Sequence, residues 1–265
     1  MSPDVKPVKI AALACALITP FAATTAAHAS AYPVKNPVLT KNALYESGRL
    51  PLTTCDELPV EPQNQSQART YITEVLRCLE NAWGPHLKKA GLPYEPVKVR
   101  YVKRMPKNYC GDTEVSLADS QAWYCDWDRM LTFQLGSSWL TDPSDLNLFS
   151  LASSMYGYHV QKLVGIYDAG EDLRAGSKAE HYEQSRRHHL QMECLGGVFM
   201  QSVWPIKGRT KAEWDKLVAL SYGDWPGQTP EWGKTATVQR WMRAGFKTGD
   251  PGSCNTWAAP SSKVA

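Results

Sequence analysis

The chain has 265 residues, a formal net charge of +3 and a mean hydropathy of −0.39. So mild a charge argues against nucleic acid or an anionic membrane as partner. No stretch stays apolar over the roughly 20 residues that a spanning helix needs.

In chain order, Lys6 and Lys9 precede an apolar run, Ile10 to Ala23, and then Ala27-His28-Ala29. Basic start, short apolar run and small-x-small site predict a secretory signal peptide over residues 1–29, cleaved near Ala29, and hence a secreted protein. Losing Lys6, Lys9 and Asp4 lowers the formal charge from +3 to +2. No transmembrane segment is expected in the mature chain. Six cysteines remain: Cys55, Cys78, Cys110, Cys125, Cys194 and Cys254. An even number after export implies disulfides, and six cysteines allow about 15 pairings. None lies in a C-x-x-C, which disfavours a thiolate metal site.

Residues 30–61, rich in Pro, Asn and Thr, read as an extended lead segment. Tyr71, Ile72, Val75, Leu76, Leu79 and Trp83 recur at helical spacing and predict a helix over 66–91, closed by Gly91. Val97, Val99 and Tyr101 alternate as a strand. Trp123 to Cys125 and Leu131, Phe133 and Leu135 flank a turn at 126–129, as in a hairpin. A helix is expected from Asp142-Pro143-Ser144 to about 166, with Ser144 as a cap, and a second over 178–203. The second carries Arg186-Arg187-His188-His189, a run read as a solvated face. Glu171-Asp172 falls in an expected loop. Thr210 to Glu213 is a capping box, and 235–246 is the last helix. Residues 62–257 form one expected domain, and 258–265 an expected flexible tail.

The stretch Ser154-Met155-Tyr156-Gly157-Tyr158-His159-Val160-Gln161 carries the chemical question. On a helix, positions i and i+4 share a face, so Ser154 and Tyr158 point the same way with Met155 beside them. Hydroxyls are poor zinc ligands until ionised, and a thioether is soft.

The mature chain resembles the neutral zinc metallopeptidases, a bacterial family typified by His-Glu-Tyr-Gly-His-His-Val-Gln. The resemblance rests on elements in order: Cys78-Leu79-Glu80-Asn81-Ala82-Trp83; Cys110-Gly111 with Trp123-Tyr124-Cys125 and Asp128; Tyr156 to Gln161; Arg186 to Cys194; and Trp232-Gly233 with Gly249-Asp250-Pro251-Gly252-Ser253-Cys254. It implies an α+β zincin-like fold, a small sheet packed with several helices and stabilised by disulfides Cys55–Cys78, Cys110–Cys125 and Cys194–Cys254. It also implies zinc as the family cofactor. In the family's pattern the zinc His positions are Ser154 and Tyr158, the general-base position is Met155, and the third-ligand position is His189. Trp232 replaces the His of the C-terminal His-Gly, at the cleft rim.

Catalytic zinc needs three His or carboxylate ligands and an open position for water, and the base must accept a proton from that water. Ser154, Met155, Tyr158 and His189 meet neither need, so no cofactor and no catalytic residue are expected. The expectation is an inactive homologue that keeps its cleft for a peptide or protein. One alternative is an active zinc metallopeptidase with an unorthodox set drawn from His189, Glu193 and His159. His159 and His188 are each one position off the site-facing residue, so both are expected to point elsewhere. The other alternative is a structural cell-envelope protein.

Overall fold

The structure, a computed structural model, describes residues 34–111, 118–143 and 145–265. The expected signal peptide and the Ser144 cap lie outside them. Among the described residues the architecture is α+β, with eight α-helices and one three-stranded sheet.

The lead segment is less extended than its composition suggests. Asn36 caps a short helix α1 (Pro37–Thr40), with Pro37 in the first turn, where its missing N–H is harmless. Asn42 caps a 3-10 turn, Ala43–Glu46. Leu39, Leu44 and Leu50 are buried, so the lead belongs to the core.

Helix α2 (Gln65–Lys89) buries the whole expected stripe, Tyr71 through Trp83. It stops before Gly91, whose φ of +71° lies in the left-handed region that favours glycine. The sheet follows. Strand β1 (Lys98–Val102) runs parallel to β3 (Met130–Gln134), and β2 (Gln121–Cys125) runs antiparallel to β3, giving the order β1-β3-β2. The central strand β3 is the buried one, with Leu131, Thr132 and Phe133 fully covered.

After the single turn α3 (Ser137–Leu140) comes α4 (Asp145–Leu163). The expected helix to about 166 ends sooner because Gly165 turns left-handed at φ +77°. The chain restarts as α5 (Ile166–Glu171). Glu171 therefore closes a helix and Asp172 caps it, rather than both lying in a loop. Helix α6 (Lys178–Ser202), α7 (Lys211–Ala219, opened by the Thr210–Glu213 capping box) and α8 (Thr235–Thr248) complete the set.

Helix α6 is the centre of the molecule, packed against α4 on one side and α8 on the other. This overturns the solvated reading of its basic run: Arg187 is 0% exposed and His188 only 6%. A buried guanidinium requires partners. Arg187 pairs with Glu183 at 2.6 Å and donates to the carbonyls of Thr256, Trp257 and Ala259. Those partners hold the C-terminus down. Ser261 donates to Glu183 at 2.9 Å, Thr237 donates to the Ala265 carbonyl, and Val264 is fully buried. Residues 258–265, expected to be a flexible tail, are packed and end in a 3-10 turn, Ser261–Lys263.

The cysteines stand in three pairs: Cys55 with Cys78, Cys110 with Cys125, and Cys194 with Cys254. Their Cα–Cα distances are 6.0, 5.5 and 5.5 Å. These are the pairs the resemblance implies. Each closed loop stabilises by about 3 to 4 kcal/mol in the chain-entropy picture.

Candidate functional site

Two glycines set the geometry where α4 crosses α6. A Cβ on Gly196 would lie 2.6 Å from Ser154 Oγ, and one on Gly157 would lie 2.8 Å from the Met192 carbonyl. Only glycine permits this approach, and it brings the side chains of the two helices within hydrogen-bond reach. Ser154 Oγ donates to Glu193 Oε2 at 2.9 Å. Burial raises the Glu193 pKa above the usual carboxylate range, against the lowering effect of the Ser154 bond.

Beside this crossing lies a pocket of about 760 Å³. Met155 and Tyr158 of α4, and His188 and His189 of α6, form part of its lining. Gln121 to Tyr124 of the edge strand β2, Tyr167 and Glu171 of α5, and Glu231 and Trp232 of the loop before α8 complete much of the rest. The structure therefore gathers Met155, Tyr158, His189 and Trp232 around one space. Ser154 and Glu193 do not line it and are occupied with each other.

His189 donates from Nδ1 to the Glu231 carbonyl at 2.7 Å, and its ring stacks on Trp232 at 3.8 Å. Burial pushes its pKa down to about 4. Tyr158 meets the His189 ring edge-on at 6.0 Å. Its phenol is held well above its usual pKa, by burial first and then by Tyr167, Glu193 and Glu171. Asp224 shapes the loop by accepting from the backbone N–H groups of Glu231, Trp232 and Gly233.

The other two histidines divide. His159 is away from the pocket and fully buried. It donates from Nε2 to the Glu95 carbonyl at 2.7 Å, so its Nδ1 is the acceptor for the Tyr124 hydroxyl at 3.1 Å. With both nitrogens engaged, it does not join His189 and Glu193 as a ligand. His188 was expected to point elsewhere, yet it lines the pocket. Gln161 donates from its amide to the His188 carbonyl and accepts from His188 Nδ1 at 2.8 Å. That fixes the tautomer and leaves Nε2 as a bare lone pair.

Sequence reasoning also missed Tyr167, Glu171 and Glu231. Tyr167 and Glu171 arrive through the break at Gly165, and Glu231 through the Asp224 clamp. The clamp's signal was an Asp eight residues before a Trp-Gly pair.

These residues do not fit a catalytic zinc ion. Position 154 offers a hydroxyl already donated to Glu193, position 158 offers a phenol that burial keeps protonated, and Met155 offers only a thioether. Among the described residues, the sole group of three His, Cys, Asp or Glu close enough to share a cation is Cys110, Cys125 and Asp126, where the two sulfurs are bonded to each other.

Comparison with known proteins places the chain in a family. The model of the family described as "Putative neutral zinc metallopeptidase" matches residues 53–216, and the chain belongs to that family. It is similar to "Uncharacterized protein YpfJ" of Escherichia coli K12, 24% identical over 212 residues that cover 73% of each chain. It is also similar to "Uncharacterized protein Rv2575" of Mycobacterium tuberculosis H37Rv, 28% identical over 156 residues, 51% of this chain and 50% of that one. No solved structure matches. Among the described residues no helix is long and apolar enough to cross a membrane, and the three disulfides are compatible with an extracellular location.

Proposed function

We propose that this protein is a secreted, non-catalytic member of the neutral zinc metallopeptidase family, zincin-like in fold, whose cleft holds a peptide or an extended segment of a protein. The observation that carries the reading is the pocket between α4 and α6. It is lined by Met155, Tyr158 and His189, the positions where the family's pattern has a base and two ligands. Losing a ligand set would leave an ordinary core if the space had closed. Here the space persists, and β2, with no partner strand on its outer edge among the described residues, lines one side of it. An unpaired strand edge beside a pocket suits an extended peptide, through main-chain hydrogen bonds.

The test is to equilibrate the protein with a pool of synthetic peptides and identify those retained by mass spectrometry. Retention of intact peptides, weakened in Tyr158→Ala and His189→Ala, is expected. Recovery of cleaved peptides would overturn the non-catalytic part of the reading. Retention unaffected by either variant would overturn the assignment of the cleft.

A further inference from the structure

The polar groups around the pocket are unbalanced. Among the described residues that line it are three carboxylates, Asp126, Glu171 and Glu231, and no lysine or arginine. Asp126 has a partner in Lys162 at 3.3 Å. Glu171 and Glu231 pair with no lysine or arginine among the described residues, and neither carboxylate makes a hydrogen bond there. The two histidines do not supply the missing charge, because burial holds His188 near a pKa of about 3 and His189 near about 4.

A second observation points the same way. His188 is only 6% exposed, and its Nε2 has no hydrogen-bond partner. The tautomer set by Gln161 makes that nitrogen an acceptor. It lies 3.9 Å from Glu171 Oε1, which is also an acceptor. Two acceptors face each other, the imidazole nitrogen buried and the carboxylate 63% exposed, and a buried acceptor left without a donor is costly. The field at Glu171 has the same sign: its side chain is 63% exposed, yet the covering it does have raises its pKa, and so do Asp126, Asp168 and Asp172, against His181 alone.

The rest of the lining is aromatic. The rings of Tyr124, Tyr158 and Tyr167 have centroids 6.2 to 6.4 Å apart, and Trp232 continues the surface across His189. Aromatic faces attract cations through their quadrupole, most strongly where water is excluded. Unpaired carboxylates, an orphaned imidazole acceptor and aromatic faces all select a cationic hydrogen-bond donor.

We infer that the pocket receives a positively charged side chain, the lysine or arginine of the bound peptide, held by Glu171 and Glu231 against Tyr158, Tyr167 and Trp232. This inference rests on the reading of the cleft as a peptide site and names the residue that the site selects. The ligand's ammonium or guanidinium donates to the carboxylates, and its alkyl stem lies on the rings.

Calorimetric titration with capped pentapeptides Ala-Ala-X-Ala-Ala tests it, where X is lysine, arginine, norleucine or citrulline. Lysine and arginine peptides are expected to bind roughly tenfold more tightly than their neutral counterparts, as for a charged hydrogen bond. The preference should shrink in Glu171→Gln and Glu231→Gln, and with added salt. Among the described residues neither carboxylate makes a hydrogen bond, so both variants should fold, which circular dichroism checks. If norleucine binds as well as lysine, the inference fails and the peptide-site reading stands. A charge preference that both variants retain places the cation elsewhere and also overturns the inference. If no peptide binds, both readings fail together.

Discussion

Ser154 Oγ and Glu193 Oε2 are joined by a 2.9 Å hydrogen bond across the α4–α6 crossing, under the pocket rather than in it. A serine in the first ligand position thus serves as the donor that a buried carboxylate needs. The expected residual ligand Glu193 is a structural partner in this fold.

Ser154→Ala should lower stability by about 2 kcal/mol, because a buried carboxylate loses its donor. Glu193→Gln should be tolerated at pH 8. The folded pKa of Glu193 is raised, so its ionisation costs stability above that pKa, and the amide removes the cost. Urea denaturation of both variants reads the two signs; a Glu193→Gln loss larger than that of Ser154→Ala would contradict this account.

Acidification should destabilise the fold between about pH 6.5 and 3. His159, His188 and His189 have folded pKa values lowered to about 4, 3 and 4 by burial. The unfolded chain takes up protons near pH 6.5 that the folded chain refuses, so their contribution is complete above that pH and drains away below it. The raised pKa values of Glu193 and Glu171 act in the opposite direction, but three imidazoles outweigh two carboxyls. Urea midpoints at pH 7 and pH 5 should show the fall, and His159→Gln should flatten it.

Gly196→Ala should destabilise by about 1 to 3 kcal/mol through overpacking, since its Cβ would meet Ser154 at 2.6 Å from Oγ and 2.9 Å from Cα. A melting temperature equal to that of the parent would show that the crossing has slack.

Deleting residues 258–265 should lower the melting temperature and raise proteolysis, because it removes the Ala259 carbonyl from Arg187 and the Ser261 hydroxyl from Glu183. An unchanged melting curve would mean that the C-terminus is the dispensable tail its composition suggests.

The differences between sequence and structure have local causes. Helix α2 was legible because a single apolar stripe faces a single core. The span of helix α6 was legible as well, but the burial of its basic run was not, because neighbours cover the helix on both sides and its polar residues are buried in partnered form, with Arg187 on Glu183 and His188 on Gln161. The break at Gly165 depends on one left-handed residue, yet it carries Tyr167 and Glu171 to the pocket. The positions of Met155, Tyr158, His189 and Trp232 around one space followed from the resemblance; the anionic side of that space did not, since Glu171 and Glu231 come from segments that gave no periodic signal. The C-terminus was misjudged because its anchors are polar groups some 70 residues away in sequence.

The most direct measurement is zinc stoichiometry together with cleavage. The disulfide-intact protein is equilibrated with micromolar zinc, desalted, assayed for metal by mass spectrometry and incubated with casein. The account predicts zinc well below one ion per chain and no chelator-sensitive cleavage. One zinc per chain, with casein cleavage that a chelator abolishes, would contradict it.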